Sequence, residues 1–146
     1  MCGSLHREYA KLCIKAKCFQ HSLVIVEQPV TGFKKNTNPM DILGYLYYKA
    51  LILIALKRYQ EAIEALKLVI SYPTQITHKV HIEAYKKLIL VSLIESGYFP
   101  SLPKYTAQML RYKLELPGTL QCYKLLSHAY SAKDDKEFQT IIDSNF

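Results

Sequence analysis

The 146-residue sequence has only five glycines and four cysteines, and each scarcity removes a class of protein. None of the glycines forms the Gly-rich cluster that cradles phosphate, so no phosphate loop is present. Cys2, Cys13, Cys18 and Cys122 have no regular spacing, which argues against a disulfide framework and suits reduced thiols in a cytoplasmic or nuclear protein. The opening residues MCGSLHREYAKLC lack the continuous apolar core of a secretory signal. The longest apolar stretch, Tyr45 to Leu56, contains Lys49 and falls well short of the roughly 20 residues that span a bilayer. No like-charge run reaches four. Nineteen Lys and Arg against twelve Asp and Glu give +7, but the charges are scattered, as on a solvated basic surface rather than a nucleic-acid footprint. Half the residues are apolar, so the chain has the material for one core of ordinary size.

What is present is helix. In YLYYKALILIALKRYQEAIEALKLVISY, residues 45–72, the first part is apolar apart from its lysine. The second places Ala62, Ile63, Leu66, Val69 and Ile70 on one face, with Gln60, Glu61, Glu64 and Lys67 opposite. Lys57-Arg58 breaks the run, Tyr59 follows, and the small Ala50 and Ala62 let the two backbones come close. This unit resembles a tetratricopeptide repeat, a helical hairpin that cannot bury both its faces alone and so implies neighbours of the same kind.

The rest of the chain supplies them. Ahead of the central unit, Leu5, Tyr9, Leu12, Cys13 and Ala16 form one helical face over residues 5–17, with Ser4 as cap. Phe19 opens a second helix with Leu23, Val24 and Val26, ended by Pro29. Ala10, Lys17 and Phe19 precede Ala50, Lys57 and Tyr59 by forty residues, and Phe99 follows Tyr59 by forty. Residues 29–39 read as the longest loop, closed by Asn38 as a cap with Pro39 in the first turn. The next helix starts between Thr77 and His81; its stretch LILVSLI is apolar almost all round, as in a helix between neighbours, and Gly97 ends it. Pro100 and Pro103 confine the following helix to about Lys104–Lys113, Thr119 caps another, and Asp134 with Glu137 starts the last. The expected fold is all-α: a right-handed superhelix of about four helical hairpins, about eight helices and no strand, forming one domain over residues 1–146. The apolar residues of the last helix are expected to lie uncovered, as in a piece of a longer repeat protein.

Chemistry finds little foothold. His78 and His81 share a helix face, and Cys13, Cys18 and His21 fall within nine residues, but neither set has metal-ligand spacing. Exposed histidines near a helix start, and two buried thiols beside a surface histidine, are the simpler readings. Twelve tyrosines are mostly accounted for by packing, Tyr9, Tyr59, Tyr85, Tyr123 and Tyr130 among them, with Tyr47 and Tyr48 left as possible groove residues. No catalytic residue, metal site, cofactor or small-molecule substrate is expected. Phe19, Tyr59, Phe99 and Ala62 are assigned to repeat packing. A peptide-binding adaptor would want a clamp of Lys and Asn from successive repeats along its inner helices, and the asparagines, Asn36, Asn38 and Asn145, lie outside those helices.

Three stretches go beyond the generic repeat: Ala16-Lys17-Cys18-Phe19, the segment EAYKKLILVSLI over residues 83–94, and Leu102-Pro103-Lys104-Tyr105-Thr106. Their order and separation resemble the subunit-3 family of the COP9 signalosome, over about Tyr9 to Phe138. The resemblance implies a non-catalytic scaffold whose partners are the other signalosome subunits, supporting removal of Nedd8 from cullins and so regulating cullin-RING ubiquitin ligases in cytoplasm and nucleus. It implies that helical repeats like these lead into a winged helix, the two together forming a PCI domain, with Phe146 expected to fall before the winged helix, and that the zinc isopeptidase is another subunit. Lys86 and Lys87, in the most family-like segment, are candidates for contact with a neighbouring subunit. A PCI subunit of the proteasome lid or a translation-initiation factor, an RNA-associated PCI protein and a free-standing peptide adaptor are the alternatives.

Overall fold

The computed structural model describes residues 4–27, 38–74 and 76–145. Cys2, Pro29, Asn36 and most of the expected long loop lie outside the described residues. Among them there are eight helices and no strand: α1 (Ser4–Lys15), α2 (Phe19–Val26), α3 (Pro39–Ala55), α4 (Tyr59–Ser71), α5 (Lys79–Ser96), α6 (Gln108–Glu115), α7 (Gln121–Ala132) and α8 (Asp135–Asn145). Helices α1, α3, α5 and α7 pack in succession as one layer; α2 bridges α1 and α3, and α4 bridges α3 and α5. The chain is thus an all-helical array of hairpins.

Four turns set the array. Lys17, Lys57, Gly97 and Lys133 all have positive φ, at 54°, 61°, 73° and 56°. At three of them the same pair of bonds closes the helix. Cys18 N–H donates to the Cys13 carbonyl at 3.0 Å and Lys17 N–H to Ile14 at 3.1 Å; Arg58 to Leu53 at 2.9 Å and Lys57 to Ile54 at 3.0 Å; Asp134 to Ala129 at 3.1 Å and Lys133 to Tyr130 at 3.2 Å. These are Schellman caps with lysine in the left-handed position where glycine is usual. The next helix begins two residues after the left-handed residue, at Phe19, Tyr59 and Asp135. At Gly97 only the simpler bond is made, Gly97 N–H to Leu93 carbonyl at 3.0 Å.

The third hairpin opens there. Phe99 keeps the forty-residue spacing but starts no helix, because Pro100 pushes the residue before it out of the α region and Pro103 has no N–H for the Phe99 carbonyl. Phe99 instead stands edge-on to Tyr85, ring centroids 6.5 Å apart. Helix α6 consequently begins at Gln108, not near Lys104.

The main core joins α3, α4 and α5 through Leu43, Tyr45, Leu66, Ile70, Leu88 and Ile89, with Leu110 and Leu114 of α6 added. A second cluster holds Ala10, Val26, Ile52, Leu53 and Ala62, with Phe19 against it. Ala50 and Ala62 are both fully buried. Helix α1 departs from expectation: it buries Ala10 and Cys13, while Leu5 and Leu12 are 78% and 62% exposed. The reason is a polar clasp. Arg7 Nη1 sits 2.7 Å from Asp41 Oδ1 on α3, and its stem crosses Gly44 so closely that a Cβ there would lie 2.8 Å from Arg7 Cδ. The clasp turns α1 so that Arg7, Ala10 and Cys13 face α3. Ser4 is the first residue of α1, and Val24 of α2 points to solvent.

Other helix starts follow side-chain chemistry. Asn38 Oδ1 accepts from Met40 N–H at 2.9 Å, and Asp134 Oδ1 accepts from Lys136 and Glu137 N–H, both at 3.1 Å. Thr119 does not cap α7; Leu120 takes that place and buries its side chain in the main core. At α5 the cap is unforeseen. His81 is buried, stacks on His78 at 6.0 Å, and accepts the His78 N–H on Nδ1 at 3.1 Å. Burial there holds its pKa below the ordinary imidazole value, against an opposing contribution from the His78 backbone bond. Helix α8 is not left bare: Ile141 is buried with Leu126 and Ala129, and Phe138 and Ile142 are partly covered.

Two outcomes test this frame. Lys57→Gly is expected to stabilise the chain by about 1 kcal/mol, relieving the left-handed cost of a side chain, and Lys57→Val to destabilise it by roughly 1–2 kcal/mol, both read by urea unfolding. Because His81 has a lowered pKa when folded, the unfolded chain binds its proton first as pH falls. The stability it contributes is therefore complete above about pH 6.5, the ordinary histidine value, and is lost below it. The melting temperature should drop on going from pH 7.5 to 5.5, and His81→Gln should make that drop smaller.

Candidate interaction surface

No group of three or more His, Cys, Asp or Glu side chains among the described residues could hold a metal ion. Cys13 is buried and Cys18 exposed, which corrects the expectation of two buried thiols; the Cys18 thiol donates to the Ala16 carbonyl at 3.4 Å. No helix among the described residues is long and apolar enough to cross a membrane. What the chain presents is shaped surface, concentrated where the third hairpin opens.

The segment Leu102-Pro103-Lys104-Tyr105-Thr106 is a built turn. The Pro103 carbonyl accepts from Thr106 N–H at 3.1 Å, from the Thr106 hydroxyl at 2.8 Å and from Arg111 Nη2 at 2.9 Å. The Arg111 guanidinium also donates to the Thr106 and Lys104 carbonyls, each at 3.4 Å. Leu102 packs on the main core and Thr106 is buried, so the turn is pinned at both ends. Tyr105 at its tip is 87% exposed. Tyr85, deep in α5, donates its hydroxyl to the Pro100 carbonyl at 3.1 Å and holds the preceding residues down. The phenol's burial raises its pKa, so it remains a donor through the neutral range. Between this segment and α4 and α5 lies an open groove of about 490 Å³, with Ile63 and Leu102 in its lining and Lys67 and Lys104 among its charges. Across it Gln60 Nε2 donates to Glu95 Oε1 at 2.8 Å.

The residues assigned to packing fall in different places. Phe19 lies against the Ala62 cluster, Tyr59 is half-buried at the start of α4, and Phe99 lies in the opened segment against Tyr85. Tyr47 and Tyr48 are half-buried, each against a different core cluster, with rings 5.9 Å apart. Tyr9 and Tyr130 are partly exposed. Lys86 and Lys87 are both half-buried. Lys86 donates to Glu83 Oε1 at 3.0 Å and stands 6.0 Å from the centre of the Tyr123 ring, so it helps join α5 to α7. The Glu83 bond raises its pKa against the opposing effect of burial, so the ammonium stays charged. Lys86 thus has a packing role that its sequence context did not suggest.

Arg111 is the residue that sequence reasoning missed. Nothing in its spacing marks it, because its partners are main-chain carbonyls. Replacing the guanidinium by an isosteric stem, Arg111→Met, is expected to destabilise the fold by about 1–2 kcal/mol and to speed tryptic cleavage after Lys104. Unchanged cleavage would show that the turn holds itself.

The sequence matches, over residues 1–110, the family described as COP9 signalosome complex subunit 3, N-terminal helical repeats. It is 34% identical over 114 residues to COP9 signalosome complex subunit 3 of Dictyostelium discoideum, covering 76% of this chain and 27% of that protein. It is 38% identical over 102 residues to the Arabidopsis thaliana protein of the same name, covering 69% of this chain and 23% of that protein. The chain spans about a quarter of the length of these curated relatives.

Proposed function

Since the chain belongs to the family of COP9 signalosome subunit 3, in its N-terminal helical repeats, we propose that it serves as a non-catalytic scaffold within that assembly. In this reading its work is to hold the other subunits in place while the complex removes Nedd8 from cullins, which regulates cullin-RING ubiquitin ligases. The observation that carries the reading is the family match over residues 1–110, which takes in α1 to α5 and the Pro103 turn. The surface agrees in kind. A rigid array with a pinned, outward-facing turn suits protein contacts made by shape rather than chemistry done in a cleft. The chain is read as one helical-repeat segment of a longer subunit that works in cytoplasm and nucleus. Lys87 is the stronger of the two lysine candidates for contact with a neighbour, since Lys86 already serves the α5–α7 junction.

The test is to purify the full-length protein from its own cells with a tag. Recovery of the other signalosome subunits in equal amounts, with cullin deneddylation in the eluate, is expected. Recovery of proteasome-lid or initiation-factor subunits, or of a lone protein with peptide clients, would overturn the scaffold reading.

A further inference from the structure

Three of the helix ends close by the same pair of backbone bonds, and the outer bond of each pair ties two residues together across the turn. They are Leu53 and Arg58 after α3, Ala129 and Asp134 after α7, and Cys13 and Cys18 after α1. Only after α1 are both partners thiols, and both are free. The bond from Cys18 N–H to the Cys13 carbonyl is 3.0 Å long, so standard bond lengths keep the two Cα atoms no more than roughly 6.5 Å apart, within the separation that a disulfide spans. In a Schellman turn these are also the positions whose side chains meet. The Tyr9 phenol marks the place. Its hydroxyl donates across the turn to the His21 carbonyl at 3.4 Å, and a hydrogen bond with the Cys13 side chain leads the influences, Cys18 among them, that raise its pKa. Cys18 is exposed, with its thiol 3.4 Å from the Ala16 carbonyl, whereas Cys13 is buried on the side of α1 that faces α3.

We propose that Cys13 and Cys18 are a redox pair, which a hydroperoxide converts to a disulfide that locks the first hairpin. The exposed thiol meets the oxidant and the buried one resolves the product. With hydrogen peroxide, the Cys18 thiolate attacks one peroxide oxygen: an S–O bond forms, the O–O bond breaks, and the leaving hydroxide takes up the proton that Cys18 released and departs as water. The Cys13 sulfur then attacks the Cys18 sulfur of the sulfenic acid. An S–S bond forms, the S–O bond breaks, and the departing hydroxide carries off the Cys13 proton as a second water. The two thiols together lose two electrons and two protons, and one peroxide becomes two waters. A dithiol reductant reverses the change by exchange. The turn so closed is the one that holds Lys17 in the left-handed region, at φ 54°, and from it α2 carries Phe19 and Val26 to the cluster of Ile52, Leu53 and Ala62. Oxidation thus ties down the contacts that seat the first hairpin on α3 and α4. The inference stands on the turn alone and does not depend on membership of a particular assembly.

The test is peptide mapping of the whole chain, reduced, freed of reductant, treated with hydrogen peroxide while folded, then alkylated and digested with trypsin. Trypsin cuts after Lys15 and Lys17, between the two cysteines, so the disulfide appears as residues 12–15 joined to residues 18–34, lighter by two hydrogens than the separate peptides. That species should be the main product, should vanish in Cys18→Ser, at an exposed position where the fold is kept, and should persist in Cys122→Ser. In glutathione buffers the equilibrium constant for forming the link should be at least about tenfold higher in the folded chain than in concentrated urea, since the turn already holds the two residues together. Recovery of Cys13 as an alkylated thiol with Cys18 as sulfinic acid, or with Cys18 joined to Cys2, Cys122 or a second molecule, would overturn the proposal. Equal constants with and without urea would overturn it too, by showing that the fold does nothing to pair the thiols.

Discussion

Everything in this array hangs from a left-handed residue at the end of a helix. A side chain in that conformation costs roughly 1–2 kcal/mol, yet lysine occupies it at positions 17, 57 and 133. Two backbone bonds per turn, and the burial that follows when the next helix folds back, offset the cost. Placed two residues before each new helix, the turn brings Ala62 of α4 beneath Leu53 and the α1–α2 pair onto the same cluster. Glycine occupies the equivalent place at 97, where no second helix follows directly. The chain therefore spends its tightest turns on closed hairpins, and the relaxed one marks the place where the repeat opens.

That opening concentrates the unusual surface. Prolines at 100 and 103 remove a helix from the third hairpin, and two consequences follow in different parts of the molecule. Residues 98–106 become an outward-facing segment, pinned by Tyr85 at one end and by Arg111 at the other. The face of α5 that such a helix would have covered becomes an apolar cleft shared with α7 and α8.

Much of this was legible in the residues. Asn38, Asp134 and Gly97 cap their helices as their chemistry suggests, and the matched Lys-x-aromatic pairs at 17–19 and 57–59 place the first two hairpins. The face of α1 was not legible, because periodicity counts leucines and cannot see that Arg7 would clasp Asp41 across Gly44. Phe99 misled through the strength of its spacing, although the prolines beside it carried the contrary information. His81 and Arg111 act through main-chain partners, which leave no pattern in a sequence. The family, by contrast, could be read from EAYKKLILVSLI and LPKYT. The structure gives both stretches physical work: the first is the central helix of the array, and the second is the turn closed on the Pro103 carbonyl.

The proposal that this chain is a scaffold with its contacts at the opened third hairpin is tested most directly by hydrogen exchange with mass spectrometry, on the protein alone and in its purified assembly. Alone, α3 to α5 should be the slowest-exchanging segment and residues 98–105 among the fastest. In the assembly, protection should be gained along 90–94, 98–106 and α8. Protection gained only elsewhere, with those segments exchanging as they do in the free protein, would contradict it.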